Sequence, residues 1–183
     1  CALTSSYEGL RERISDIVVG WKKDGKTPVT AREIKGIGSI MALLRDAIKP
    51  NLVQTVEGVP TIVHMGPFGN IAHGCSSILA DKLAVNCGEY VVTEAGFGAD
   101  LGFEKFMDIK VRQGGPKPSA AVVVATIRGL KWHGGVAIKD MDEPDSDAVR
   151  RGAENLKNAM RIVAMYGLPV VVAINRFPGD SPE

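Results

Sequence analysis

The chain has 183 residues, 22 basic against 21 acidic side chains, 45% hydrophobic residues, 5% aromatic residues and 21 glycines. A net charge of +1 supplies no global field to hold nucleic acid or an anionic membrane, and that hydrophobic fraction excludes disorder as the main state. No apolar run reaches the ~20 residues of a membrane span, while many glycines beside few aromatics suit a backbone that approaches a ligand closely.

In chain order, residues 5–24 read as a helix: Ser5 and Glu8 have capping-box spacing, and Leu10, Ile14, Ile17, Val18 and Trp21 recur at helical intervals. Lys22 and Lys23 would sit at the negative end of its dipole, with Gly25 closing it. A second helical stretch is expected from Thr30, with Glu33 three residues on, and a third over 39–48, stopped before Pro50. From Pro60 the texture changes. Strands are expected at 61–64, 89–93, 120–126 and 169–174, and helices at 76–85, at 104–109 and from Asp147 to a stop at Gly167. Short apolar strands alternating with helices indicate an α/β fold, a mostly parallel sheet with helices on both faces, behind an N-terminal helical portion at 1–58. Ligands of such sheets bind at the carboxyl ends of the strands. His73, Glu94, Phe97, Arg128 and Asn175 are therefore expected on one rim.

Cys1, Cys75 and Cys87 are an odd set without a C-x-x-C pair, which argues against a disulfide framework or zinc ribbon and for a reducing, cytoplasmic compartment. The chain opens at Cys1 without Met and closes on Asp180-Ser181-Pro182-Glu183 directly after a strand-like run, so a segment of a longer chain is expected.

Several motifs carry possible chemistry. Gly20 to Thr27 matches G-x-x-x-x-G-K-[ST], the phosphate-cradling loop, but the residues before it have helical rather than strand periodicity. Gly66 to Gly74 either offers N–H groups to an anion ahead of a helix or is a tight turn. In Glu94 to Asp100, an acid after a buried strand could hold Mg²⁺ and Phe97 could stack on a flat ligand; alternatively Asp100 caps a helix and Phe97 packs inward. Arg128, Lys131 and His133 place cations and an imidazole where phosphate or carboxylate could bind. His64, His73 and His133 are spaced too widely for a histidine metal site, and no metal ligands are assigned.

Val124 to Gly135, with the loop 66–74 and the stretch Val91 to Asp100, resembles the formate–tetrahydrofolate ligase family. Asp46 to Leu52, Gln54-Thr55 and Glu57-Gly58 extend the resemblance over essentially the whole chain, which is similar to the middle third of the family's longer sequence. Gly129 departs from it, since Ala is usual there. The resemblance implies a P-loop NTPase-like core in which residues 59–183 form an incomplete nucleotide- and folate-binding portion. It implies ATP-dependent ligation of formate to tetrahydrofolate through formyl phosphate, giving 10-formyltetrahydrofolate, ADP and phosphate. Mg²⁺ with ATP, K⁺ as activator, a homotetramer and small-molecule partners are implied too, and the family's phosphate loop would lie upstream. By resemblance, Phe97 and Gly98 fall at the formyl phosphate and folate site, Phe177 and Pro178 hold the folate ring, and Asn175 contacts adenine. Arg128 and His73 are catalytic candidates, and Asn70 and Glu94 cofactor-binding candidates, by motif membership alone. Two other readings are a nucleotide- or folate-binding scaffold without turnover, and a P-loop switch built on Gly20–Thr27.

Overall fold

A computed structural model describes residues 1–65 and 75–180, arranged as two compact units. The first unit comprises Cys1–Glu94 with Asp108–Pro116. It opens with α1 (Tyr7–Ser15), capped by Ser6, whose hydroxyl accepts from the Gly9 N–H at 2.9 Å. The helix stops at Asp16 instead of running to residue 24. Ile17, Val18 and Val19 are β-branched and stiff at χ1, and the chain passes into β1 (Val18–Trp21), antiparallel to β2 (Pro28–Thr30). The helix expected from Thr30 is also absent. The Thr30 N–H donates to the Glu33 carboxylate at 3.2 Å, half of a capping box, yet the backbone stays in turns until α2 (Ile37–Leu44).

Strands β3 (Asn51–Gln54) and β4 (Pro60–Val63) form an antiparallel hairpin, so the strand expected at 61–64 pairs with its own chain neighbour and not into a parallel sheet. Helix α3 (Ile78–Cys87) follows, its Ser77 hydroxyl accepting from the Ala80 N–H at 2.9 Å. Leu10, Ala31, Ile37, Met41 and Ile48 make the buried core, with Ile14, Leu44 and Leu79 packed against it. The Tyr7 hydroxyl donates to the Met41 carbonyl at 2.7 Å and ties α1 to α2. At 89–93 no strand forms; Val91 and Val92 lie exposed.

The second unit comprises Ala95–Met107 and Lys117–Glu183. Its centre is a β–α–α–β arrangement: β5 (Ala121–Thr126), α4 (Ile127–His133), α5 (Ser146–Met165) and β6 (Val170–Asn175). The strands pair in parallel, Ala121 with Val170 through Thr126 with Asn175. This establishes the α/β character, but among the described residues the parallel sheet has two strands rather than four. Helix α5 packs on both strands, while Val122, Val124 and Val171 of the pair are exposed, so among the described residues helices do not cover both faces. Runs of valine report an appetite for burial and not which strand will be the neighbour.

Asp145 caps α5 by accepting from the Ala148 N–H at 2.8 Å, two residues before the expected Asp147. Gly167, at φ +71°, ends it as expected, because that left-handed turn is open to glycine without a Cβ penalty. The short helix expected at 104–109 is longer and wider: π-helical turns cover Ala99–Phe103 and Phe106–Val111.

Candidate functional site

The literal phosphate-loop match lies in the β1–β2 hairpin, where a strand and not a helix follows its lysine. Asp24 fills the turn. Its carboxylate accepts from the Lys26 N–H at 2.9 Å, the Thr27 N–H at 3.0 Å and the Thr27 hydroxyl at 2.6 Å. Those bonds, the Thr27 hydroxyl first, hold the Asp24 carboxyl down at about 2. The amides that a phosphate would need are thus taken by the protein's own anion, and the switch reading based on Gly20–Thr27 is set aside.

Thr126 ends β5 and caps α4, its hydroxyl accepting from the Gly129 N–H at 2.9 Å. A Cβ at position 129 would stand 2.9 Å from that hydroxyl oxygen, a crowding that glycine avoids. The segment 127–133 read as a loop is therefore a helix. Its first turn sends Arg128 outward, while Lys131 turns inward and is buried. The Lys131 ammonium donates to the carbonyls of Met141 at 3.0 Å and Glu143 at 2.8 Å, so it pins the 134–145 connection and is not a rim cation. His133 is exposed at the end of α4.

Strand β6 runs out at Asn175 beside the end of β5, and the next residues close into a turn. The Phe177 N–H donates to the Asp180 carboxylate at 2.7 Å, and Arg176 donates to the Asp180 carbonyl at 3.2 Å. Asp180 thus stabilises its own turn. The Arg128 guanidinium lies over the Phe177 ring, 5.3 Å from its centroid, and also pairs with Asp142. Phe177 is 44% exposed, and Pro178 and Asn175 are exposed beside it in sequence. The structure thus brings Arg128 and Phe177 together where β5 and β6 end.

Phe97 is 72% exposed, so its ring is presented to solvent and not packed inward. Its backbone is left-handed, φ +65°, an uncommon conformation for a bulky residue and a reason to read the position as functional. Gly98, at the N-cap of the following π-helical turn, leaves room for Asp100, whose carboxylate would stand 2.5 Å from a Cβ there. Glu94 is exposed. His73 and Asn70 lie outside the described residues. Sequence reading missed Asp142, which pairs with Arg128; its only signal is the run of acids between residues 140 and 147.

A buried polar cluster sits apart from these groups in sequence. His64 Nδ1 is 2.6 Å from the Ser77 hydroxyl and Nε2 is 2.9 Å from the Ala47 carbonyl. A carbonyl only accepts, so Nε2 carries the proton and Nδ1 accepts from Ser77. With Ser77 also capping α3, this pair joins β4 to α3 as structure and is no nucleophile. Burial pushes the Cys75 thiol up to about 11, which makes it inert at neutral pH. We expect iodoacetamide to label the exposed Cys87 of the 183-residue chain well before Cys75 at pH 8, as read by peptide mass spectrometry. Because the folded value lies above the ordinary 9.0, Cys75 contributes stability that is full below pH 9 and is lost as the pH rises through about 11.

The family model for formate–tetrahydrofolate ligase matches residues 1–183. The chain belongs to the formate–tetrahydrofolate ligase family. A formate–tetrahydrofolate ligase of Nocardioides sp. (strain ATCC BAA-499 / JS614) is 56% identical over 180 residues, covering 98% of this chain and 32% of that relative. The chain therefore spans about a third of the length of the ligase it matches. Among the described residues, no cluster of three or more His, Cys, Asp or Glu side chains is arranged to hold a metal ion. No described helix is long and apolar enough to cross a membrane.

Proposed function

We propose that this chain is the folate-holding portion of a longer enzyme that ligates formate to tetrahydrofolate, using ATP through formyl phosphate to give 10-formyltetrahydrofolate, ADP and phosphate. The observation that carries the reading is Phe177: an exposed ring in a turn fixed by Asp180, at the carboxyl end of a parallel strand, in a chain of this family. A pterin is flat and aromatic, and stacking on such a ring holds it without consuming polar groups. Pro178 extends the apolar platform. Phe97, presented on a strained backbone, and Gly98 beside it form a second contact for the pterin and the small acyl phosphate. Asn175 is assigned to adenine contact, while Glu94, Asn70 and His73 keep the supporting roles their motifs suggest. ATP, its Mg²⁺, activating K⁺, a homotetrameric assembly and a cytoplasmic setting rest on the family resemblance. Phosphoryl transfer needs phosphates positioned and neutralised, and that machinery is assigned to sequence outside this chain.

In the full-length enzyme, Phe177→Leu should raise the KM for tetrahydrofolate by about tenfold or more, the size of one lost stacking contact, with the KM for ATP unchanged. Steady-state kinetics checks this, and an unchanged tetrahydrofolate KM would sink the platform. The 183-residue chain alone should bind tetrahydrofolate weakly in calorimetry and show no ligation. Robust 10-formyltetrahydrofolate formation by it would overturn the assignment of the ATP machinery elsewhere.

A further inference from the structure

We propose that Arg128 is a positioning residue for tetrahydrofolate: it closes one face of the Phe177 ring and so leaves the opposite face for the pterin. This rests on the folate reading of Phe177 and adds a second residue to it. Three observations carry it. The guanidinium carbon lies 5.3 Å from the Phe177 centroid, within cation–π range. Arg128 does not approach as a free cation, because Asp142 pairs with it from the later part of the α4–α5 connection. Both partners stand on rigid starts: Arg128 in the first turn of α4, capped by Thr126, and Phe177 in the turn closed by Asp180.

The physics follows from the order Asp142, Arg128, Phe177, pterin. A phenyl ring in an exposed turn can rotate, and a rotating ring is a poor platform. A guanidinium plane fixed by a carboxylate limits that rotation. It also draws the ring's π density toward itself, which makes the free face less repulsive to an electron-rich tetrahydropterin. Since its charge is already engaged by Asp142 and the ring, Arg128 touches neither formyl phosphate nor ATP in this role. It acts through Phe177.

The full-length enzyme carrying Arg128→Met, Arg128→Lys, Asp142→Asn, Phe177→Leu and the double change Arg128→Met with Phe177→Leu provides the test. KM for tetrahydrofolate, ATP and formate, and kcat, are measured for each. Arg128→Met should raise the tetrahydrofolate KM about fivefold, the size of one exposed cation–π contact, with the ATP and formate values and kcat held within twofold. Arg128→Lys should recover part of that loss, and Asp142→Asn should show a smaller shift in the same direction. The double variant should be no worse than Phe177→Leu alone, since Arg128 acts only through the ring. A wild-type tetrahydrofolate KM in Arg128→Met beside a raised one in Phe177→Leu overturns the positioning role and keeps the platform. A fall in kcat of a hundredfold or more at unchanged tetrahydrofolate KM, or additive losses in the double variant, also overturns it. An unchanged KM in Phe177→Leu overturns the platform itself.

Discussion

Replacing Lys110 with Met in the 183-residue chain should cost about 3–5 kcal/mol of unfolding free energy, the largest loss expected from a charge change in the first unit. Lys110 is 0% exposed and its ammonium pairs with Asp81, which is 9% exposed. Deleting the cation leaves a carboxylate inside the protein with its desolvation uncompensated, and that penalty exceeds the attraction the intact pair returned. The backbone there has no slack: the Gly115 N–H donates to the Lys110 carbonyl at 3.0 Å, and a Cβ on Gly115 would stand 2.9 Å from that same oxygen. Asp81→Leu alone should cost a similar amount for the mirrored reason. The double change to Met and Leu should recover most of either loss, because two apolar groups of like volume need no partner. Urea denaturation of the three variants checks this, with the slope held constant. A loss below about 1 kcal/mol for Lys110→Met would mean that the pair is solvated like a surface bridge. A second readout is independent of stability. The positive charge of Lys110 lowers the Cys75 thiol against the stronger effect of burial. Lys110→Met should therefore push that thiol further up and slow its alkylation in the folded state.

Legibility followed the range of the interaction. The strand at 121–126 and the long helix from 146 to the glycine at 167 were readable because β-branched runs, caps and a left-handed stop act over a few residues. The first helix was overextended because Ile17 and Val18 fit the helical period as well as they fit a strand, and only pairing with β2 decides between them. The phosphate-loop match failed for a local reason that the pattern does not encode. An aspartate two residues before its lysine can turn round and occupy the loop's amides itself. Family resemblance singles out Phe177 and Phe97, and the structure shows both rings exposed, next to Gly or Pro in the chain. The Arg128–Phe177 contact was not legible. The two residues are 49 positions apart by their numbers, and a parallel crossover brings them together. Lys131 is misread because helical spacing puts it near the face of Arg128, and only the carbonyls of Met141 and Glu143, ten and twelve residues on, draw its ammonium into a buried position.

Gly152→Ala should destabilise the chain by about 3 kcal/mol, although the same exchange in an unobstructed helix stabilises by up to about 1 kcal/mol through backbone entropy. Gly152 is buried in α5 where α4 crosses it, and a Cβ there would lie 1.9 Å from the Leu130 carbonyl oxygen. The crossing is closed from the other side too: a Cβ on Gly134 would lie 2.0 Å from the Ala148 carbonyl oxygen. No rotamer relieves a clash between a Cβ and a main-chain oxygen, so the helices must part, and parting loosens the packing around buried Leu130 and Ala148. Gly38 in α2 supplies the control, since a Cβ there meets nothing within 4 Å. Gly38→Ala should leave stability unchanged or raise it by about 0.5–1 kcal/mol. Opposite signs for one chemical change at two helical glycines would tie the effect to the helix contact and not to propensity. Two losses of equal size would instead separate the cost from the helix contact. Leu130 of that contact lies on the same short helix as Arg128, so parting the helices shifts Arg128 against Phe177. In the full-length enzyme, Gly152→Ala should therefore weaken tetrahydrofolate binding at temperatures where the variant is still folded, while Gly38→Ala should not.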